Sequence, residues 1–302
     1  MTKKTTSYKV VEWPTFTLIL ACYLFWALGT TWLSALWLPL GFFTTMLAIT
    51  LHSSLQHEVL HGHPFANRIL SEALVFPAPG LCIPYLRFRD THLAHHQDSI
   101  LTDPYDDPES NFQDPEVWEN LPKWQQVILN LNNTLAGRLL LGPAISVIVF
   151  SRSDWREICQ GNRMVLNGWL LHIPGVAIIA VWLAAYGQMP IWLYILAAYC
   201  GLSILKIRTF LEHQAHERAR ARTVIIEDRG LLAFLFLNNN LHVVHHMHPA
   251  VPWYRLWDYY RKNKDRYLAR NDGYVYRSYA EIFRKYFLKR KDPVPHPLWR
   301  QD

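Results

Sequence analysis

The sequence predicts an all-α integral membrane protein with four transmembrane helices, arranged as two hairpins, and a cytoplasmic helical cap. Three observations predict it. Residues 13–57 and 164–205 contain no Asp, Glu, Lys or Arg, two uncharged runs of 45 and 42 residues hidden in a 302-residue chain whose mean hydropathy is −0.01. A helix needs ~20 apolar residues to cross the hydrocarbon core at about 1.5 Å per residue, so each run is about two spans long and reads as a hairpin. The third observation is where the 30 Lys and Arg sit: three precede Trp13, eight lie between the runs, and nineteen follow from Lys206 onward. Neither hairpin tip, Gly29-Thr30-Thr31 or Gly187-Gln188-Met189-Pro190, carries a positive charge. The positive-inside rule therefore puts both termini and the central segment in the cytoplasm.

Taken in order, a short basic start precedes a first span over about residues 14–31, which lacks a small-residue cleavage site and is read as retained. The second span covers about 33–52 and continues as helix toward His61. Ile69–Leu86 is apolar but contains Glu72 and is broken by Pro77-Ala78-Pro79-Gly80, so it is expected at the interface. Residues 98–119 hold eight acids, no base and three Asp-Pro steps, and read as a solvated loop. Leu139–Ser151, 13 apolar residues between Arg138 and Arg152, has the length of a re-entrant or interfacial segment. Spans three and four cover about 164–185 and 189–210, the last continuing through Arg208 to His213. The aromatic and basic tail from Trp253 is expected to form helices against the membrane surface. Residues 53–163 and 211–302 are thus the cytoplasmic segments, and 1–302 is expected to be one domain. Cys22, Cys82, Cys159 and Cys200 form no C-x-x-C pair, so neither a disulfide framework nor a thiolate site is expected. The net charge of +6 follows from topology and predicts no nucleic-acid partner.

Thirteen of the 15 histidines fall in four short clusters. On a helix His57 and His61, four apart, share a face. The unit H-x-x-H-H occurs twice, as His92, His95 and His96 and as His242, His245 and His246; in each, two imidazoles share a face and the third sits one step round. His213, at the predicted end of span four, makes nine imidazoles on one membrane face. All-imidazole sites suit iron, copper, nickel or zinc, and this many ligands favours two ions. His52 and His57 also have a workable spacing, but the His57/His61 pair keeps one face and is preferred; His52 is then an accessory residue.

In these boxes the sequence resembles the membrane fatty-acid desaturase and hydroxylase superfamily. His57-Glu58-Val59-Leu60-His61-Gly62 is similar to its first histidine box, His92 to His96 to its second, and Asn238-Asn239-Asn240-Leu241-His242-Val243-Val244-His245-His246 to its third. Arg208-Thr209-Phe210-Leu211-Glu212-His213-Gln214 looks like the segment that supplies one further ligand, and the resemblance covers roughly residues 30–260. It implies a non-haem centre of two iron ions on those nine histidines, O₂ as co-substrate, and attack on an unactivated C–H bond of a lipid chain. The activity expected first is fatty-acyl desaturation, with lipid or carotenoid hydroxylation or ketolation as the alternative. No catalytic residue is expected beyond the metal ligands. Carboxylates such as Glu58, Glu212, Asp90 or Asp98 can orient the imidazoles through their second nitrogens. Reduction of O₂ to water takes four electrons, two of them from outside the substrate, and the chain has no G-x-G-x-x-G, clustered Cys or haem motif. A ferredoxin or similar carrier docking on the basic face is implied.

Two rivals remain at this level. His57-Glu58-Val59-Leu60-His61 is a literal H-E-x-x-H, the zinc-protease signature with Glu as base, but it leaves the other seven histidines without a role. A metal transporter would place ligands near the bilayer midplane, where only His172 lies, and that residue is expected to be a polar group facing the bundle.

Overall fold

The computed structural model describes residues 11–97 and 99–299. The chain is mainly helical, in the order α1 (Trp13–Thr30), α2 (Trp32–Leu36), α3 (Leu38–Leu60), α4 (Arg68–Leu74), α5 (Tyr85–His95), α6 (Pro115–Asn120), α7 (Lys123–Asn132), α8 (Leu135–Cys159), α9 (Arg163–Tyr186) and α10 (Ile191–Thr209). After α10 come β1 (Ile225–Ile226), α11 (Leu231–Leu235), α12 (His242–Met247), α13 (Leu256–Lys262), α14 (Lys264–Arg270), β2 (Val275–Tyr276) and α15 (Tyr279–Tyr286).

Five helical stretches among the described residues, not four, are long and apolar enough to span a bilayer: Trp13–Leu36, Leu38–Leu60, Leu135–Cys159, Arg163–Tyr186 and Ile191–Thr209. The additional one is α8. Its apolar centre, Leu139–Ser151, was expected to be a short re-entrant piece, but four flanking residues before it and eight after it join the same helix. Thr134 caps its start by accepting from the Gly137 N–H at 3.0 Å, which lets the helix begin well before the apolar run. The first reversal also differs from expectation. Gly29-Thr30-Thr31 ends α1, but α2 follows, and the chain turns into α3 only at Trp37. The last span ends at Thr209, so His213 follows on non-helical chain.

Small residues bring α1, α2 and α3 into backbone contact, as packing in lipid favours. A Cβ added at Gly41 would stand 2.7 Å from Ser34 Cα and 2.8 Å from the Gly29 carbonyl oxygen, both backbone atoms that cannot swing away. Gly41→Val is therefore expected to lower stability by about 1–3 kcal/mol through overpacking, seen as a lower midpoint on heating in detergent. Exposed Leu20, Leu24 and Phe25 on α1 and Ile173 and Val181 on α9 form the faces that lipid would contact.

Residues 75–84, the proline-broken part of the Ile69–Leu86 stretch expected at the interface, pack as an irregular loop against α9 and α10. Ala78 N–H donates to Gly175 O midway along α9 (3.2 Å), His172 Nε2 bonds Leu81 O (2.7 Å), and the Tyr194 hydroxyl donates to Pro79 O (2.8 Å). Irregular backbone is tolerated in a bilayer where protein satisfies its polar groups, and these three bonds do that. His172 thus has the structural role expected of it. Beyond α10, a two-stranded parallel pair (Ile225 opposite Val275, Ile226 opposite Tyr276) and the short helices pack around Leu241, Val243, Val244, Leu256, Tyr260 and Tyr267 at the end where α3, α5 and α10 meet the histidines.

A buried ion pair ties α5 to α8 and α9. Arg87 donates from Nε and a terminal nitrogen to both oxygens of Asp154 (2.9 and 3.0 Å), and Trp169 Nε1 donates to the same carboxylate at 2.8 Å. Asp154→Leu leaves the Arg87 charge, 9% exposed, with only Asp90 at 4.0 Å as a carboxylate neighbour among the described residues and is expected to cost about 3 kcal/mol. The double variant Arg87→Met, Asp154→Leu should recover most of that loss in the same melting experiment.

Candidate metal centre

Four separate pieces of chain deliver the nine predicted histidines to one place. The last turn of α3 presents His57, with His61 as the residue that ends the helix; α5 presents His92 and His95, with His96 at its end. His213 lies in a short extended stretch bridged to Thr223, and α12 presents His242, His245 and His246. The turn into α12 is held by the asparagines of the third box. Leu237 and Asn238 adopt left-handed backbone (φ 51° and 57°). Asn238 accepts from Trp257 Nε1 and donates to Trp253 O (3.1 and 3.0 Å), Asn240 donates to Ile226 O (2.6 Å), and Asn239 donates to Glu212 Oε1 (3.1 Å). These bonds compensate a conformation that Leu rarely adopts.

The nine form two groups, His57, His61, His92, His96 and His245 in one and His95, His213, His242 and His246 in the other, each with its donor atoms within 4.8 Å of one another. The rings of His96 and His246 stack at 4.4 Å and join the groups. In the first group His96 Nε2 is 3.0 Å from His92 Nε2 and 3.1 Å from His245 Nε2. In the second, His213 Nε2 is 2.8 Å from His95 Nε2 and 3.1 Å from His242 Nε2, which is 3.1 Å from His246 Nε2. His52 joins neither group.

Three outer partners decide which nitrogen faces inward. His92 Nδ1 lies 2.8 Å from Glu109 Oε1, His95 Nδ1 lies 2.7 Å from Asp107 Oδ1, and His242 Nδ1 lies 3.1 Å from Asn239 Oδ1. An oxygen acceptor at Nδ1 puts the ring proton there and leaves Nε2 as a bare lone pair. Such lone pairs converge at about 3 Å, and the buried Nε2 atoms of His57 and His61 have no hydrogen-bond partner among the described residues. Imidazole nitrogens about 2.1 Å from one ion and at right angles to each other are about 3 Å apart, so this donor set fits a transition-metal ion in each group.

The electrostatics point the same way. Burial, then repulsion from neighbouring imidazoles, pushes His61, His96, His213, His242 and His245 far below the usual histidine range, keeping them neutral as metal ligation requires. His95 is the exception. Burial opposes its charge, but Glu109 and the Asp107 hydrogen bond outweigh that and carry it up to about 9. Burial would raise Glu109, yet His92 and His95 hold it well below the usual carboxylate range.

Of the acids expected to orient imidazoles, Glu212 does so only through Asn239, with Arg208 Nε 3.0 Å from the same oxygen, Oε1. Glu58 instead accepts from Trp253 N–H (2.9 Å) and faces His63 Nε2 at 3.8 Å; Asp90 is held by Arg89 at 2.7 Å; Asp98 lies outside the described residues. The residues in direct contact, Asp107 and Glu109, come from the acidic stretch expected to be a solvated loop. Asp107 is 4% exposed and also accepts from Thr102 N–H at 2.9 Å. The available signal was an acidic run following the second box within about one loop length, a run whose Asp-Pro steps break helix and favour turns.

One helical turn before His57, a cavity of about 120 Å³ lies between α3, the loop 75–84, α5 and α10. Its wall includes Ile49, Gly80, Leu81, Phe88 and Leu205, and the Phe88 ring is 5.6 Å from that of His92.

Residues 30–279 match the fatty acid desaturase family. The chain belongs to that family. Among curated relatives, it is 25% identical over 237 residues to a beta-carotene ketolase of Paracoccus sp. (strain N81106 / MBIC 01143), covering 76% of this chain and 75% of that one. It is 24% identical over 230 residues to a beta-carotene ketolase of Paracoccus sp. (strain PC1), covering 73% and 74%. Family membership, the apolar helices and the histidine groups together make the chain an integral membrane oxidoreductase of the desaturase and hydroxylase superfamily.

Proposed function

We propose that the protein is an O₂-dependent oxidoreductase acting on the hydrocarbon chain of a membrane lipid, with two iron ions held by the nine histidines. The observation that carries this is the convergence of nine imidazoles into two adjoining groups. Bound there, the irons supply oxygen activation and removal of hydrogen from an unactivated C–H bond. The chain's own residues position and exclude. Asp107, Glu109 and Asn239 orient His95, His92 and His242, and His57, His92, His95, His242 and His245 are buried. The lipid chain would reach the site through the cavity beside His57 and His92.

The termini and the metal site lie on the cytoplasmic side by the distribution of Lys and Arg, with residues 1–302 acting as one domain. Four of the apolar stretches are the spans of two hairpins, and α8, which carries Arg138, Arg152, Asp154, Arg156 and Glu157, lies with the cap near the surface. A ferredoxin-like carrier delivers the outside electrons at the basic face.

Fatty-acyl desaturation is the first reading, and the family match supports it. Ketolation or hydroxylation of a carotenoid is the second, favoured by the two curated relatives. Purified protein given reductant, heavy-isotope O₂ and either a saturated acyl lipid or beta-carotene separates them. An unsaturated product without the label supports desaturation, and a labelled product supports oxygen insertion. Absence of both O₂-dependent product and bound iron overturns the proposal.

A further inference from the structure

The cavity beside the histidines is apolar except along α3, where His52, Ser53 and Gln56 reach its wall. His52 is 3% exposed. Its Nε2 lies 2.9 Å from the Tyr23 hydroxyl, and that hydroxyl donates to Leu74 O at 2.9 Å. A hydroxyl has one proton, and here it goes to Leu74, so the contact with His52 is made by a donating Nε2–H. Nδ1 is then the acceptor nitrogen of the ring, and it makes no hydrogen bond among the described residues. Gln56 behaves alike: its amide donates to Val75 O at 3.3 Å, and its amide oxygen accepts from none of the described residues. Two residues with acceptors that lack donors, His52 and Gln56, thus line the cavity along the last turns of α3 before His57. A wall that had only hydrocarbon to hold would be better apolar throughout.

Given the reading that this cavity receives the substrate, we propose that His52 Nδ1 and Gln56 Oε1 accept a hydrogen bond from a hydroxyl group on it. The lipid oxidised is then one already hydroxylated close to the carbon attacked. The volume agrees with local recognition, since about 120 Å³ equals roughly four water volumes and admits one ring or a short stretch of chain. Tyr23 acts as a positioning residue, because its hydroxyl accepts the Nε2–H and so keeps Nδ1 free to accept.

The test is binding, read without turnover. The full chain in detergent is titrated with beta-carotene and its ring-hydroxylated derivative, and with a stearoyl and a hydroxystearoyl phospholipid, following tryptophan quenching. The hydroxylated member of one pair is expected to bind about tenfold tighter. His52→Phe and Gln56→Leu should each bring the ratio toward one, and Tyr23→Phe should reduce it. If His52→Phe does not fold, judged by gel filtration, Gln56→Leu carries the test. Equal affinities in both pairs, or a preference that survives Gln56→Leu, overturn the inference. Iron measured on the same sample separates the two readings. A hydroxyl preference in protein that binds no iron would uphold this site while overturning the metal proposal, and equal affinities in an iron-loaded, active protein would do the reverse.

Discussion

His213→Ala is expected to abolish turnover and to leave one of the two metal sites empty. His213 belongs to the group with only four imidazoles, and its Nε2 sits between those of His95 and His242 at 2.8 and 3.1 Å. Removing it leaves three ligands and opens the site to water on the side of the α10 end. Even loss of an orienting partner costs about 10–100-fold, so loss of a ligand should exceed that range. His213 also follows the helix rather than forming part of it, so the substitution changes ligation with little change to the bundle. The measurement is iron per chain alongside product formation. The same assay on His52→Ala should return the full iron content, because His52 lies in neither group. A His213→Ala protein that keeps both ions and its activity would refute the ligand assignment.

Asp107→Ala and Glu109→Ala are expected to lower metal affinity or activity by about 10–100-fold each. Asp107 holds the Nδ1 side of His95, and Glu109 holds that of His92. One serves each metal group. Without the carboxylate the ring is free to place its proton on Nε2, the atom that faces the ion. Asp107→Asn keeps an oxygen acceptor and should retain more activity than Asp107→Ala. Since Glu109 Oε2 also lies 3.9 Å from His95 Nε2, the two acids act on overlapping targets, and the double variant should lose less than the product of the single losses. Iron affinity measured by competition with a chelator checks both.

Much of this was legible before folding. The uncharged runs announced spans because a bilayer admits no unpaired charge or unpaired backbone over ~20 residues, and α1, α3, α9 and α10 occupy them. The histidines were legible for a related reason. Spacings of three and four on a helix fix which side chains share a face, so His57 with His61 and the two H-x-x-H-H units could be paired within their own segments. The structure brings these segments together with His213.

What failed to show was whatever depended on chain meeting chain from elsewhere. The acidic residues 98–119 looked like a solvated loop because eight carboxylates without a base normally seek water, and Asp107 is buried and Glu109 half-buried because imidazoles from α5 face them. Glu58, adjacent to a ligand in sequence, is turned to Trp253, 195 positions away. The broken stretch 75–84 packs where α9 and α10 supply the partners that its backbone needs. Hydropathy and helical period act through neighbours along the chain, and they settled the membrane class and the nine candidate ligands. Division of those nine into two groups, selection of the acids that orient them, and creation of a cavity at their side are long-range outcomes, set by which side chains the packed helices leave facing one another.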